Sequence, residues 1–286
     1  MIEDDMKDRV ITLILLCLLL PAFALSACTS IDGSNNPETA AAQTDRSVQM
    51  ATQMALQLQA TNEVRFVHVT ATAKAFQSVL EATRLWTVAF EDTFDEDSGD
   101  WPVGEDDGDL AAVDWRISAG KYQWHANANS GFVWWALPEA PIVRNFYVAA
   151  DVGQIDGPPD GEAGLVFRSD SDTSYYNFGI TNEGNYSLYM HSQDGWEALI
   201  DWIPSRHLKI DGVNRLAVIA QDERLLLFIN DHFLVEYVDE RFLEGEVGLI
   251  IGLSYAGEEG HWEFDNFELR TPQGDTLEAV NLDANY

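Results

Sequence analysis

Three stretches decide the fold: Gly164-Leu165-Val166-Phe167-Arg168, Tyr175-Tyr176-Asn177-Phe178-Gly179-Ile180 and Tyr186-Ser187-Leu188-Tyr189-Met190-His191. In each, bulky apolar side chains recur at every second residue, the period of a strand buried on one face. Leu165, Phe167, Tyr176, Phe178, Ile180, Tyr186, Leu188 and Met190 form one apolar set, which we assign to the core. The complementary set is Val166 and Arg168, Tyr175 and Asn177, and Ser187, Tyr189 and His191. That mixture of rings, amide, hydroxyl and guanidinium suits a sugar, whose apolar ring face stacks on aromatics while its hydroxyls need planar donors and acceptors. An ordinary solvated sheet face is the plainer reading of the same residues.

The same texture runs outward from these strands. After Trp86 short apolar or alternating runs are separated by Gly, Asp and Asn, with strands expected at 121–125, 132–137, 146–152, 164–168, 175–180, 186–191, 196–202, 216–220, 225–229, 233–237, 247–253 and 262–269. Strands in this number and spacing imply an all-β fold of two packed antiparallel sheets. Asn230-Asp231 separates two of them with residues tolerant of positive φ, so those two should form a hairpin.

Composition sets the outer limits. The chain has 286 residues, 46% of them hydrophobic, enough for a sizeable core and too apolar for a disordered polymer. Sixteen Lys and Arg face 48 Asp and Glu, a net charge of −32 that repels phosphate backbones and argues against a nucleic-acid partner. The two cysteines, Cys17 and Cys28, are too few for a disulfide framework or a thiolate zinc cluster.

Residues 10–25 are mostly apolar, follow Lys7 and Arg9, and end in Leu25-Ser26-Ala27-Cys28. The run is too short and interrupted for a membrane span and reads as a secretory signal. Its end resembles the lipobox of bacterial lipoproteins, which implies a cut before Cys28 and a diacylglycerol on its sulfur. A plain uncleaved signal anchor is the alternative. Glu3, Asp4 and Asp5 are unusual ahead of such a signal, whereas a start at Met6 would put Lys7 and Arg9 beside the amino terminus. The expected location is extracytoplasmic, on a bacterial membrane. The expected organisation is a signal peptide (1–27), a flexible linker (28–43), a helical stalk (44–85) with scope for self-association, the sandwich (86–272) and a tail (273–286).

Beyond the alternation, Asp92-Thr93-Phe94-Asp95 with Trp101-Pro102, Val213-Asn214-Arg215-Leu216, Gly245-Glu246-Val247-Gly248-Leu249 and Phe264-Asp265-Asn266-Phe267 resemble the concanavalin A-like lectin and glucanase superfamily, in its laminin-G-like and keto-disaccharide-hydrolase-like branches. The resemblance spans roughly residues 90–270 and implies a jelly-roll sandwich. Such folds host lectins, carbohydrate-binding modules, adhesion domains and glycoside hydrolases, so function has to be read from residues.

For glycan or cell-surface ligand contacts the candidates are Arg168, Tyr175, Asn177, Tyr189 and His191, with Trp135. Trp134 and Trp135 are adjacent, so they point to opposite faces and at most one belongs to the main core. Trp196 and Trp202 share a face. The acidic run 91–109 offers Asp95 and Asp97 as ligands of structural calcium, against the reading of a solvated charge run; no other cofactor is expected. Glu263-Phe264-Asp265-Asn266-Phe267-Glu268 fits the E-x-D-x-x-E spacing of laminarinase-type hydrolases, which by resemblance implies Glu263 as nucleophile and Glu268 as acid/base. Trp262 and Phe264 are apolar on even positions and Phe267 and Leu269 on odd ones, so keeping both pairs inward requires a one-residue bulge. That bulge would put Glu263, Asp265 and Glu268 on one outer face. The motif closes the domain, as in non-catalytic relatives, and favours a binding or adhesion module over a β-glucan hydrolase. A structural or protein-binding surface protein is the third reading. His68, His125, His191, His207, His232 and His261 are scattered and suggest no metal set.

Overall fold

The computed structural model of the protein describes residues 76–170 and 173–272. Two antiparallel sheets face each other, and the described residues are otherwise all-β but for a short helix at 76–83. The six-stranded sheet runs in the order β10 (Gly195–Pro204), β9 (Asn185–Ser192), β8 (Tyr175–Thr181), β7 (Glu162–Ser169), β14 (Glu246–Leu253) and β5 (Phe132–Ala136). The nine-stranded sheet runs β13 (His232–Val238), β12 (Arg224–Ile229), β11 (Asn214–Gln221), β6 (Phe146–Asp156), β15 (Glu259–Thr271), β4 (Lys121–Ala128), β3 (Ala111–Ser118) and β2 (Gly104–Asp107), with β1 (Thr87–Asp92) also paired to β15.

The apolar set read from alternation is the core. Leu165, Phe167, Tyr176, Phe178, Ile180, Tyr186, Leu188 and Met190 all lie in one buried cluster between the sheets, meeting Val148, Leu227 and Phe264 from the other side. Such burial supplies the main favourable term in folding. The partition of faces follows: β7, β8 and β9 pair Asn177 with Val166 and with Tyr189, and Gly179 with Gly164 and with Ser187, placing these residues in rows on the outer face.

Two turn devices take the expected form. Asn230 (φ 50°) and Asp231 (φ 63°) both occupy the left-handed region and join β12 to β13 as a two-residue hairpin. In β15 the register with β6 shifts between Asp265 and Glu268, with Asn266 at φ 49°, so Trp262, Phe264, Phe267 and Leu269 are all buried. The parity change in the sequence is thus a bulge.

The helix at 76–83 packs against the outer face of the nine-stranded sheet. Leu80 is buried with Tyr147, Ala149, Ile219 and Phe228, and Phe76 stacks on Phe233 with centroids 4.2 Å apart. The last turns of the expected stalk are therefore docked on the sandwich. The rest of the stalk (44–75), the signal peptide (1–27), the linker (28–43) with Cys28, and the tail (273–286) lie outside the described residues.

Candidate functional site

The outer face of the six-stranded sheet carries a groove of about 440 Å³. Glu162 of β7, Thr181 of β8, Asn185 of β9, Gly252 of β14 and Trp196 and Trp202 of β10 all line it. The groove exists because residues on its floor are small. Gly252 and Thr181 are the cross-strand neighbours of Glu162 on either side. A Cβ on Gly179 would fall 2.1 Å from Glu162 Oε1, and one on Gly252 would fall 3.3 Å from Glu162 Oε2, so glycine on two strands leaves room for the carboxylate to lie across the sheet.

The Glu162 carboxylate is held by a neutral partner: Asn177 Nδ2 donates to its Oε1 at 2.7 Å. Burial raises its carboxyl pKa to about 7, and the Asn177 hydrogen bond only partly opposes that rise. Asn177 itself is 1% exposed, and its Oδ1 has no protein partner. Nor do Thr181 Oγ1 and Ser187 Oγ, on the same face.

A chain of rings crosses the sheet beside the groove. Trp135 meets Tyr175 at 5.0 Å, Tyr175 stacks on His191 at 5.3 Å, and His191 meets Trp196 at 4.9 Å. Tyr189 meets both Trp196 and Trp202 at 6.3 Å. Trp196 is 47% exposed and presents the open ring. Tyr189 donates to Asp201 Oδ1 at 2.7 Å, and His191 Nδ1 lies 2.8 Å from the Thr173 carbonyl, so both are held in place.

Of the six candidate contacts read from sequence, Tyr189, His191 and Trp135 are partly exposed on this face. Tyr175 and Asn177 are on it but buried, and reach the groove only through neighbours. Arg168 is a correction. Alternation aims it outward with Val166, but the β7–β14 register shifts there, Arg168 takes φ 50°, and its side chain is buried. Its Nη1 donates to the Phe242 carbonyl at 2.9 Å and its Nη2 to the carbonyls of Arg144 and Asp222. Burial lowers its pKa to about 10. It is a tie between loops. Glu162 escapes the alternation argument because the strand expected there opens at Gly164, one alternation too late.

The laminarinase-type carboxylates occupy the other sheet. Glu263, Asp265 and Glu268 share its outer face as the bulge requires, but each is engaged: Glu263 with Gln123 Nε2 at 3.0 Å, Asp265 with Lys121, and Glu268 with Arg215 at 3.1 Å and with Arg270. Glu263 borders one depression and Glu268 another. A retaining nucleophile and acid/base must face one sugar linkage about 5 to 5.5 Å apart, whereas these two carboxylates border separate depressions. Asp95 accepts from Thr93 Oγ1 at 2.8 Å and Asp97 from the Gly99 amide at 3.0 Å, which makes them turn acceptors. They do not converge with a third ligand in the group of metal-ligand side chains found among the described residues. Four of the histidines, scattered in sequence, form two stacked pairs, His125 with His261 at 4.0 Å and His207 with His232 at 4.3 Å; His191 stacks on Tyr175, and His68 lies outside the described residues.

No protein-family model and no curated protein matches the chain. Among solved structures it is similar to the carbohydrate-binding module CBM66 from Bacillus subtilis, at 18% identity over 60% of this chain and 96% of that one, with a TM-score of 0.47. It is also similar to the catalytic domain of an endo-1,3-beta-glucanase from Thermotoga petrophila, at 7% identity over 66% and 98% of the two chains, TM-score 0.47. A protein of unknown function with a galectin-like fold from Bacillus subtilis matches at 14% identity over 65% and 98%, TM-score 0.45. At these values the site is read from its own residues.

Proposed function

We propose that the sandwich binds a glycan in the groove of the six-stranded sheet without cleaving it, and that lipidated Cys28 tethers it to the outer side of a bacterial membrane. The observation that carries the binding reading is the pairing of an open Trp196 ring with the polar side chains of Glu162, Thr181 and Asn185 in one groove. Sugars need both surfaces at once, an apolar platform for the ring face and fixed donors and acceptors for hydroxyls. Glu162 offers an acceptor to the groove, and Thr181 a hydroxyl that both donates and accepts. The membrane reading rests on the Leu25-Ser26-Ala27-Cys28 sequence after an apolar run.

A glycan array probed with the protein tests the groove. Binding to at least one glycan class is expected, weakened about tenfold or more by Trp196→Ala, since loss of a well-packed aromatic at a binding centre commonly costs about 2 kcal/mol or more, roughly thirtyfold. Retained affinity in that variant would remove this groove. Palmitate labelling of wild type against Cys28→Ala tests the tether, and equal incorporation would refute it.

Hydrolysis is a second reading with its own observation: Glu162 titrates near neutrality, and Asp160 and Glu183 border the same groove. A carboxyl with a raised pKa is the general acid of such reactions. Reducing-sugar release lost in Glu162→Gln would support it. Binding with no release in wild type supports the non-catalytic reading.

A further inference from the structure

On the outer face of the nine-stranded sheet, away from the groove, β4 and β15 place His125 directly opposite His261 in register. The imidazoles stack with centroids 4.0 Å apart and planes 13° from parallel. Glu259, two residues before His261 on the same side of β15, brings its Oε1 to 2.8 Å from His125 Nε2. One donor atom from each of His125, Glu259 and His261 lies within 4.8 Å of the other two.

We propose that His125, His261 and Glu259 form a binding site for a borderline divalent transition metal, of which zinc and copper are the best matches. Two imidazoles and a carboxylate are the donor set these ions prefer, whereas calcium and magnesium prefer oxygen alone. Cross-strand register fixes the two imidazoles side by side. Ligands about 2.1 Å from a tetrahedral ion lie about 3.4 Å from each other, so donors already within 4.8 Å close on it once the two rings rotate out of their parallel stack to aim their nitrogens at one point. Those rotations are available, because the Glu259 side chain is well exposed and that of His125 partly so. The Glu259 carboxylate already opposes His125, where an ion would take the place of the shared proton. Three protein ligands leave a coordination position for water or for a donor from another molecule. With a net charge of −32 the chain also concentrates cations around itself. The His207–His232 pair has the same stacking but is not joined by a third ligand in this way, and serves as the internal control.

Titration calorimetry of the protein with zinc chloride, in excess calcium to fill oxygen-only sites, is the test. The expected result is a specific zinc site in wild type. Mutating even a hydrogen-bond partner of a metal ligand costs about 10- to 100-fold in affinity, so His125→Ala and His261→Ala are each expected to cost at least about tenfold, and Glu259→Gln less. His207→Ala with His232→Ala should leave the site unchanged. Circular dichroism without metal checks that the variants fold. Copper electron paramagnetic resonance gives an independent reading, with coupling to two nitrogens expected in wild type and lost when His125 and His261 are both replaced. Zinc affinity unchanged by His125→Ala and His261→Ala together, or a copper spectrum with no nitrogen coupling in wild type, overturns the proposal.

Discussion

On the outer face of the nine-stranded sheet, Asp151 and Glu268 share Arg215, Glu268 also meets Arg270, and Asp265 meets Lys121. On the outer face of the six-stranded sheet, Glu162 has the neutral amide of Asn177, and no ion pair joins it among the described residues. The first face neutralises Asp151, Asp265 and Glu268 with cations, and Glu263 has a neutral partner there, the Gln123 amide. The second leaves one partly desolvated, raises its pKa to about 7, and surrounds it with hydroxyl and amide atoms that lack partners. A buried polar group without a partner costs stability, on the order of 1 to 3 kcal/mol. The groove that holds the Glu162 carboxyl beside an open ring is a surface ready to hydrogen-bond something else, whereas the ion pairs of the other face hold its strands together.

The largest effect expected from this contrast concerns two arginines. Arg168→Met removes the donor to three loop carbonyls at a buried site and should destabilise the protein by about 3 kcal/mol. Arg215→Met breaks a partly exposed pair network and should cost about 1 kcal/mol. Urea unfolding of both variants makes the comparison. Equal costs would mean that Arg168 is less essential than its burial implies, and would return it to the candidates for ligand contact.

A smaller effect isolates the uncompensated carboxyl. Because the pKa of Glu162 is raised in the folded state, the native protein holds a proton that the unfolded chain releases once pH exceeds the ordinary glutamate value near ~4.3. Stability from this group is therefore complete below that value, declines as pH rises towards about 7, and stays low above it. Glu162→Gln removes the titration and can keep the contact with Asn177. It should stabilise the protein by on the order of 2 kcal/mol at alkaline pH and change little at acid pH. Thermal melts of wild type and variant across this range give the answer, and a constant difference at all pH values would show that the carboxyl is solvated like any surface glutamate.

Much of this architecture is legible in the amino-acid sequence. Period-two alternation sorts β7, β8 and β9 into their two faces, Asn230-Asp231 marks its hairpin, and the parity change at Phe264 to Phe267 marks the bulge. Alternation fails at Arg168 because a bulge reverses parity and, unlike the one in β15, no apolar pair beyond it betrays the change. The acidic run hides β2: Gly104–Asp107 is exposed throughout, an edge strand with charged side chains and no apolar period to read. The groove is the least legible part, since it depends on Gly179 and Gly252, distant in sequence, making room for the same carboxylate. The His125–Glu259–His261 cluster is invisible for the same reason: its residues are joined only by cross-strand register.

The smallest effect expected is also the one that most directly separates the two faces. Glu263 is partly buried, accepts a hydrogen bond from Gln123, and sits where the sequence motif would have a nucleophile. Glu263→Gln preserves shape and one oxygen acceptor, so stability should change by less than about 0.5 kcal/mol, the usual range for a surface substitution away from special features. Glycan binding should be unchanged. A nucleophile cannot be replaced by an amide without loss of a covalent mechanism, so if wild type releases reducing sugar and Glu263→Gln does not, the functional face is the one with paired carboxylates and the groove around Glu162 is a consequence of packing. If the variant matches wild type in binding and in any sugar release, the motif reduces to a closing strand whose carboxylates hold Lys121, Arg215 and Arg270 against the sheet.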